Sequence, residues 1–90
     1  MYVVKEIFST EWNGEMDAKV YLFNTLKDAQ KHFNKRKKSL YKEFEINQYL
    51  EDGRGEIFEN VENKRFDYRG EDGMNESRVI LYIEKIELRG

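Results

Sequence analysis

The chain has 90 residues, no Cys and no Pro, 14% aromatic residues and a formal net charge of −2 at pH 7. That length predicts one α+β domain over residues 1–90 with no room for a second core, and the missing thiols exclude a disulfide framework or a thiolate metal site. Met1 runs directly into Tyr2-Val3-Val4 without a basic-then-apolar leader, and no apolar run nears the ~20 residues that span a bilayer, so a cytoplasmic protein without membrane contact is expected.

Tyr2 to Phe23 reads as a β-hairpin closed at Asn13-Gly14, a pair suited to the two positive-φ positions of a type I′ turn. A turn there sets partner numbers that sum to 27, placing Ile7 opposite Val20 and Val4 opposite Phe23. One face of this hairpin collects Val3, Ile7, Met16, Ala18, Val20 and Leu22; the other carries Val4, Phe8, Trp12, Tyr21 and Phe23. The first face has the longer apolar run and is expected to meet the helix.

Thr25-Leu26-Lys27-Asp28 has the form of a helix start, with Thr25 as N-cap. At 100° per residue Leu26, Ala29, Phe33, Leu40, Tyr41 and Phe44 share one face, which predicts an amphipathic helix of about five turns. Beyond Phe44 the apolar positions Ile46, Tyr49 and Leu50 leave that face, so the helix should end or bend near 44 to 46. Asp52-Gly53-Arg54-Gly55 is a turn signal, and the acidic stretch to Asn63 has too few regularly spaced apolar residues to assign. Lys64 to Arg69 alternates in the manner of an edge strand, and Gly70 to Ser77 is a polar connection. Arg78 to Leu88, apolar on both faces through Val79-Ile80-Leu81-Tyr82-Ile83, suits a central strand. The expected architecture is β-β-α-β-β, a mainly antiparallel sheet of about four strands with one amphipathic helix packed on one face.

Little in the sequence points to catalysis. His32 is the sole histidine, and no serine has a neighbouring base or oxyanion-hole pattern. On the flank of a basic helix, His32 reads as a surface residue. Asp67, Glu71 and Asp72, or Glu51, Asp52 and Glu56, miss the spacing of a calcium loop, and Gly53-x-Gly55 lacks the third glycine of a phosphate cradle. No catalytic residue, metal ligand or cofactor is therefore assigned.

Charge is unevenly spread. Residues 27 to 42 hold seven Lys and Arg against one Asp, whereas residues 43 to 76 hold eleven acids against four bases. Lys27, Lys31, Lys35, Lys38 and Lys42 form a stripe opposite the helix's apolar face, flanked by Arg36 and Lys37. This is a candidate anion-binding stripe, and the simpler reading, which charge runs usually warrant, is a solvated face that confers solubility. The acidic segment has its own candidate role, occupying a basic groove on another protein.

If one helix covers the face of Ile7, Val20 and Leu22, then Val4, Phe8, Trp12, Tyr21 and Phe23 remain as a candidate partner face. Either residues 46 to 62 or another chain, such as a second copy, should cover it. Abundant Lys, Glu, Asn, Ile and Tyr give a composition that resembles small proteins of AT-rich bacteria and their phages. The expected function is a non-enzymatic protein–protein interaction module, such as a small accessory or inhibitor protein. The alternative is a nucleic-acid-associated accessory protein acting through the basic helix face.

Overall fold

Alternation of apolar and polar residues over most of the chain builds one antiparallel sheet, which a single long helix crosses. The computed structural model describes residues 1–10, 16–60, 64–72 and 75–87. These form β1 (Tyr2–Thr10), β2 (Met16–Phe23), α1 (Leu26–Glu43), α2 (Ile46–Glu51), β3 (Gly55–Asn60), β4 (Arg65–Asp72) and β5 (Asn75–Lys85). The strands lie in the order β2-β1-β5-β4-β3, and every neighbouring pair is antiparallel. The α+β class agrees with the sequence reading, with five strands and two helices in place of about four and one.

The additional strand and helix both come from the acidic segment. β3 buries little, since only Ile57 joins the edge of the core while Phe58 stays 59% exposed, so no apolar periodicity marks it in sequence. It forms the sheet edge beside β4, and β4 is therefore an interior strand. The β4–β5 ladder runs to Asp72↔Asn75, drawing most of the expected polar connection into the hairpin.

In the first hairpin the partner numbers sum to 25, so Ile7 faces Ala18 and Val4 faces Tyr21. The two-residue offset from the expected register leaves each side chain on its face, because faces repeat every second residue. The Asn13-Gly14 turn, Trp12 and Leu88 lie outside the described residues.

α1 begins as its sequence dictates: Thr25 has an extended backbone, and its hydroxyl accepts a hydrogen bond from the Asp28 amide at 3.2 Å. Phe44 ends it, and Glu45 adopts a left-handed φ of 49° that turns the chain into α2. That break carries Ile46 into full burial, where continued helix would have put it on the lysine side.

The core holds Val4, Ala29, Phe33, Leu40, Ile46, Phe66, Tyr68, Val79 and Leu81 in one cluster, with Tyr2, Tyr21, Phe23, Phe44 and Ile83 packed at its margin. The helix thus covers the face of Val4, Phe8, Tyr21 and Phe23, the reverse of the expected assignment. Side-chain size explains the inversion. The Ile7, Val20 and Leu22 face has more apolar positions, but the other supplies aromatic rings, which bury 150–250 Å² each and dominate the hydrophobic gain. Leu26, expected in the core, is 40% exposed at the helix start.

Candidate interaction surface

The polar groups on the covered face show how completely the helix occupies it. Glu6 projects from β1 beneath α1 and is buried, a costly position for a carboxylate unless it is paired. Arg36 supplies two parallel bonds, Nε to Oε1 at 2.7 Å and Nη2 to Oε2 at 3.0 Å, and its second nitrogen lies 3.6 Å from Glu43. The Glu6 hydrogen bond raises the guanidinium pKa above its ordinary value, holding Arg36 charged. Lys37, the cation within the helix's apolar stripe, pairs with Glu59 on β3 and lies 5.6 Å from the Phe66 ring centroid.

The expected partner face is therefore an internal face. Val4 is wholly buried, Phe8 lies 5.4 Å from the Phe44 ring, and Tyr21 and Phe23 flank the His32 ring at 4.4 and 5.2 Å. His32 is accordingly a packed residue and not the surface residue its basic neighbours suggest. Among the described residues its Nε2 has no hydrogen-bond partner, and burial, reinforced by the Arg36 charge, pushes its pKa below the ordinary value. Residues 46–51 extend the same helical layer toward β3 and β4, and no helix among the described residues packs on the far side of the sheet, where Val3 is nevertheless buried by its neighbours on the strands.

That far side holds the exposed apolar surface. Registers across β2, β1 and β5 align Ala18 with Ile7 and Ile80, Val20 with Lys5 and Tyr82, and Leu22 with Val3 and Glu84. Val20 and Leu22 are 57% and 62% exposed. The one cation in these rows, Lys5, is neutralised by Glu84 at 2.9 Å, and that hydrogen bond raises the ammonium pKa. Toward β4 the face becomes charged, with Asp67 gripped by Arg78 through two bonds of 3.1 and 2.7 Å. Asp67 is thus a structural carboxylate, and no group of three or more potential metal ligands converges among the described residues.

β2 is also an edge. Its ladder to β1 is uninterrupted from Tyr2↔Phe23 to Ser9↔Met16, so no bulge blunts it, and among the described residues no strand lies beside its outer backbone groups. Sequence reasoning missed Val20 and Leu22 as surface residues. The available signal was the larger aromatic area of the competing face.

The candidate anion-binding stripe lies where the helical wheel puts it. Lys27, Lys31, Lys35, Lys38 and Lys42 are all exposed, and among the described residues none of them pairs with a carboxylate. Arg36 and Lys37, which flank the stripe in sequence, turn inward to Glu6 and Glu59. No helix among the described residues is long and apolar enough to cross a membrane. Compared with protein-family models, curated proteins and solved structures, the chain matches none.

Proposed function

We propose that the chain is a non-enzymatic protein–protein interaction module whose partner is a second copy of itself, joined edge to edge through β2. The observation that carries this reading is the exposure of Val20 and Leu22, 57% and 62%, on an edge strand without a bulge. An antiparallel pairing centred on Val20 sets Val20 against its own copy and Ala18 against Leu22, giving an apolar ladder on the open face. On the other face Lys19 meets Tyr21 and Asp17 meets Phe23, so no like charges oppose. A pairing centred on Lys19 would set two ammonium groups against each other and is disfavoured. Cross-strand pairs contribute roughly 0.2–1 kcal/mol each, so the pairs from Asp17 to Phe23 supply at most about 7 kcal/mol and association no tighter than about 10 μM is expected.

Sedimentation equilibrium tests this reading. The wild type should approach twice its monomer mass at about 100 μM, and the Val20→Lys/Leu22→Lys double variant should be a monomer with unchanged helical circular dichroism. A wild type that stays monomeric, or a double variant that still dimerises, overturns it.

A second reading, nucleic-acid association through Lys27, Lys31, Lys35, Lys38 and Lys42, draws on the exposure of all five and their lack of carboxylate partners among the described residues. Duplex affinity would then fall with salt at a slope of about −0.9 per phosphate neutralised, flattened by the Lys31→Gln/Lys35→Gln/Lys38→Gln triple variant. Absence of duplex binding at low salt removes this second reading.

A further inference from the structure

The two edges of the sheet differ in charge. β2 carries Asp17 and Lys19 and is neutral, whereas β3 lies within residues 43–60, which hold six acids against one base. Three of those acids are matched, Glu43 by Arg36, Asp52 by Arg54 and Glu59 by Lys37. Glu45, Glu51 and Glu56 are exposed and, among the described residues, pair with no cation. α2, which ends in Glu51, packs against β3 and so adds to the negative field along that edge.

β3 also has the backbone to accept a strand. Its ladder to β4 is uninterrupted from Gly55↔Gly70 to Asn60↔Arg65, it contains no proline or lysine, and among the described residues no strand lies on its outer side. The registers put Glu56 and Phe58 on the open face of the sheet and Ile57 and Glu59 on the helix face. Phe58 is 59% exposed. Pairing of this edge with its own copy would bring two acidic segments together, which like-charge repulsion disfavours; a basic strand gains from the same field.

We propose that β3 takes up, as an added strand, an extended segment of another protein in which two adjacent apolar residues are flanked on both sides by Lys or Arg. Backbone hydrogen bonds along the outer side of β3 hold the segment, and its side chains set the choice of partner. Opposite Glu56, Ile57, Phe58 and Glu59 the segment reads basic, apolar, apolar, basic, so each residue meets one of complementary character. One cation and one apolar side chain share the open face with Glu56 and Phe58, and the other two share the helix face with Ile57 and Glu59. The pattern is the same read in either direction, so parallel and antiparallel docking both satisfy it. The inference stands apart from β2 pairing, which uses the opposite edge of the sheet.

Amide chemical-shift titration of the full chain with a capped peptide, Thr-Thr-Lys-Val-Val-Lys-Thr-Thr, tests it, with Glu in place of both Lys as the control. The basic peptide should shift the amides of Gly55 to Asn60 saturably, and the acidic peptide should not. The Glu56→Lys/Phe58→Ser variant, altered only at exposed positions, should keep its helical circular dichroism and bind the basic peptide about fivefold or more weakly. The proposal fails if no saturable shift occurs on β3, if the acidic peptide binds as tightly, if the variant binds normally, or if the shifts fall on β2 in place of β3. It fails too if the β3 amides shift when the chain alone is concentrated, which would make the occupant a second copy. Sedimentation of the Val20→Lys/Leu22→Lys variant reports on β2 pairing separately, so failure of one reading is distinguishable from failure of the other.

Discussion

His32 shows how far a neighbour can redirect a residue from what its sequence context suggests. Four of the residues nearest it in the helix, Lys31, Lys35, Arg36 and Lys37, are cationic, yet its ring is stacked beneath Tyr21 and Phe23 on the sheet side. Burial is the first cause of its lowered pKa and the Arg36 charge the second; Lys35 acts in the same direction, while Glu6 opposes both. The unfolded chain, where a histidine titrates near 6.5, therefore takes up the proton at higher pH than the folded one. By linkage, stability that is fully present above the unfolded pKa is lost as pH falls through that value toward the folded pKa. The urea midpoint of the wild type should consequently be lower at pH 5.5 than at pH 7.5, and most of that difference should vanish in His32→Phe. An equal or higher midpoint at pH 5.5 would show that the imidazole is not desolvated. Glu6 offers a parallel lesson at the same scale: its burial beneath the helix is permitted by the bidentate bond from Arg36, thirty residues away in sequence.

Among the elements, α1 separates two residues that its apolar stripe groups together. Phe33 is 6% exposed within the core cluster, whereas Leu26 is 40% exposed at the first turn. Phe33→Ala should cost about 3–5 kcal/mol, a large part of the few kcal/mol by which a domain of this size is stable. Leu26→Ala should cost about 1 kcal/mol or less, since little area is lost and alanine is the better helix former. Chemical denaturation measures both, and similar losses would mean that the helix is rotated from its described position. The N-cap, length and apolar face of α1 were legible because each rests on local chemistry: a Thr hydroxyl, an Asp three residues on, a 3.6-residue period. β5 was legible as a central strand for a similar reason, being apolar on both faces. β3 was not, because an edge strand with only Ile57 against the core leaves almost no periodic trace. α2 is six residues long and depends on a left-handed Glu45, a conformation that no pattern of hydrophobic positions announces. The sheet face under the helix was misjudged by counting apolar positions when aromatic area decides the outcome, as Phe8, Tyr21 and Phe23 demonstrate.

For the whole molecule the consequence is a two-layer domain whose sides differ in chemistry. The helical side carries the exposed lysine stripe, and the sheet side carries Val20 and Leu22. The stripe was legible from helical spacing alone, but the open face required knowing which way the sheet lies. The central claim, pairing of two copies through β2 about Val20, admits a direct measurement because the natural chain has no cysteine. A single Val20→Cys substitution would place two thiols directly opposite across the paired strands, where Cβ atoms are about 4.5–5.5 Å apart and a modest adjustment allows a disulfide. Phe58→Cys, on the other edge strand and at a position 59% exposed, controls for random collision. Under mild oxidation Val20→Cys should convert to a disulfide-linked dimer much faster than Phe58→Cys; equal rates, or a Val20→Cys chain that stays monomeric, would contradict the account.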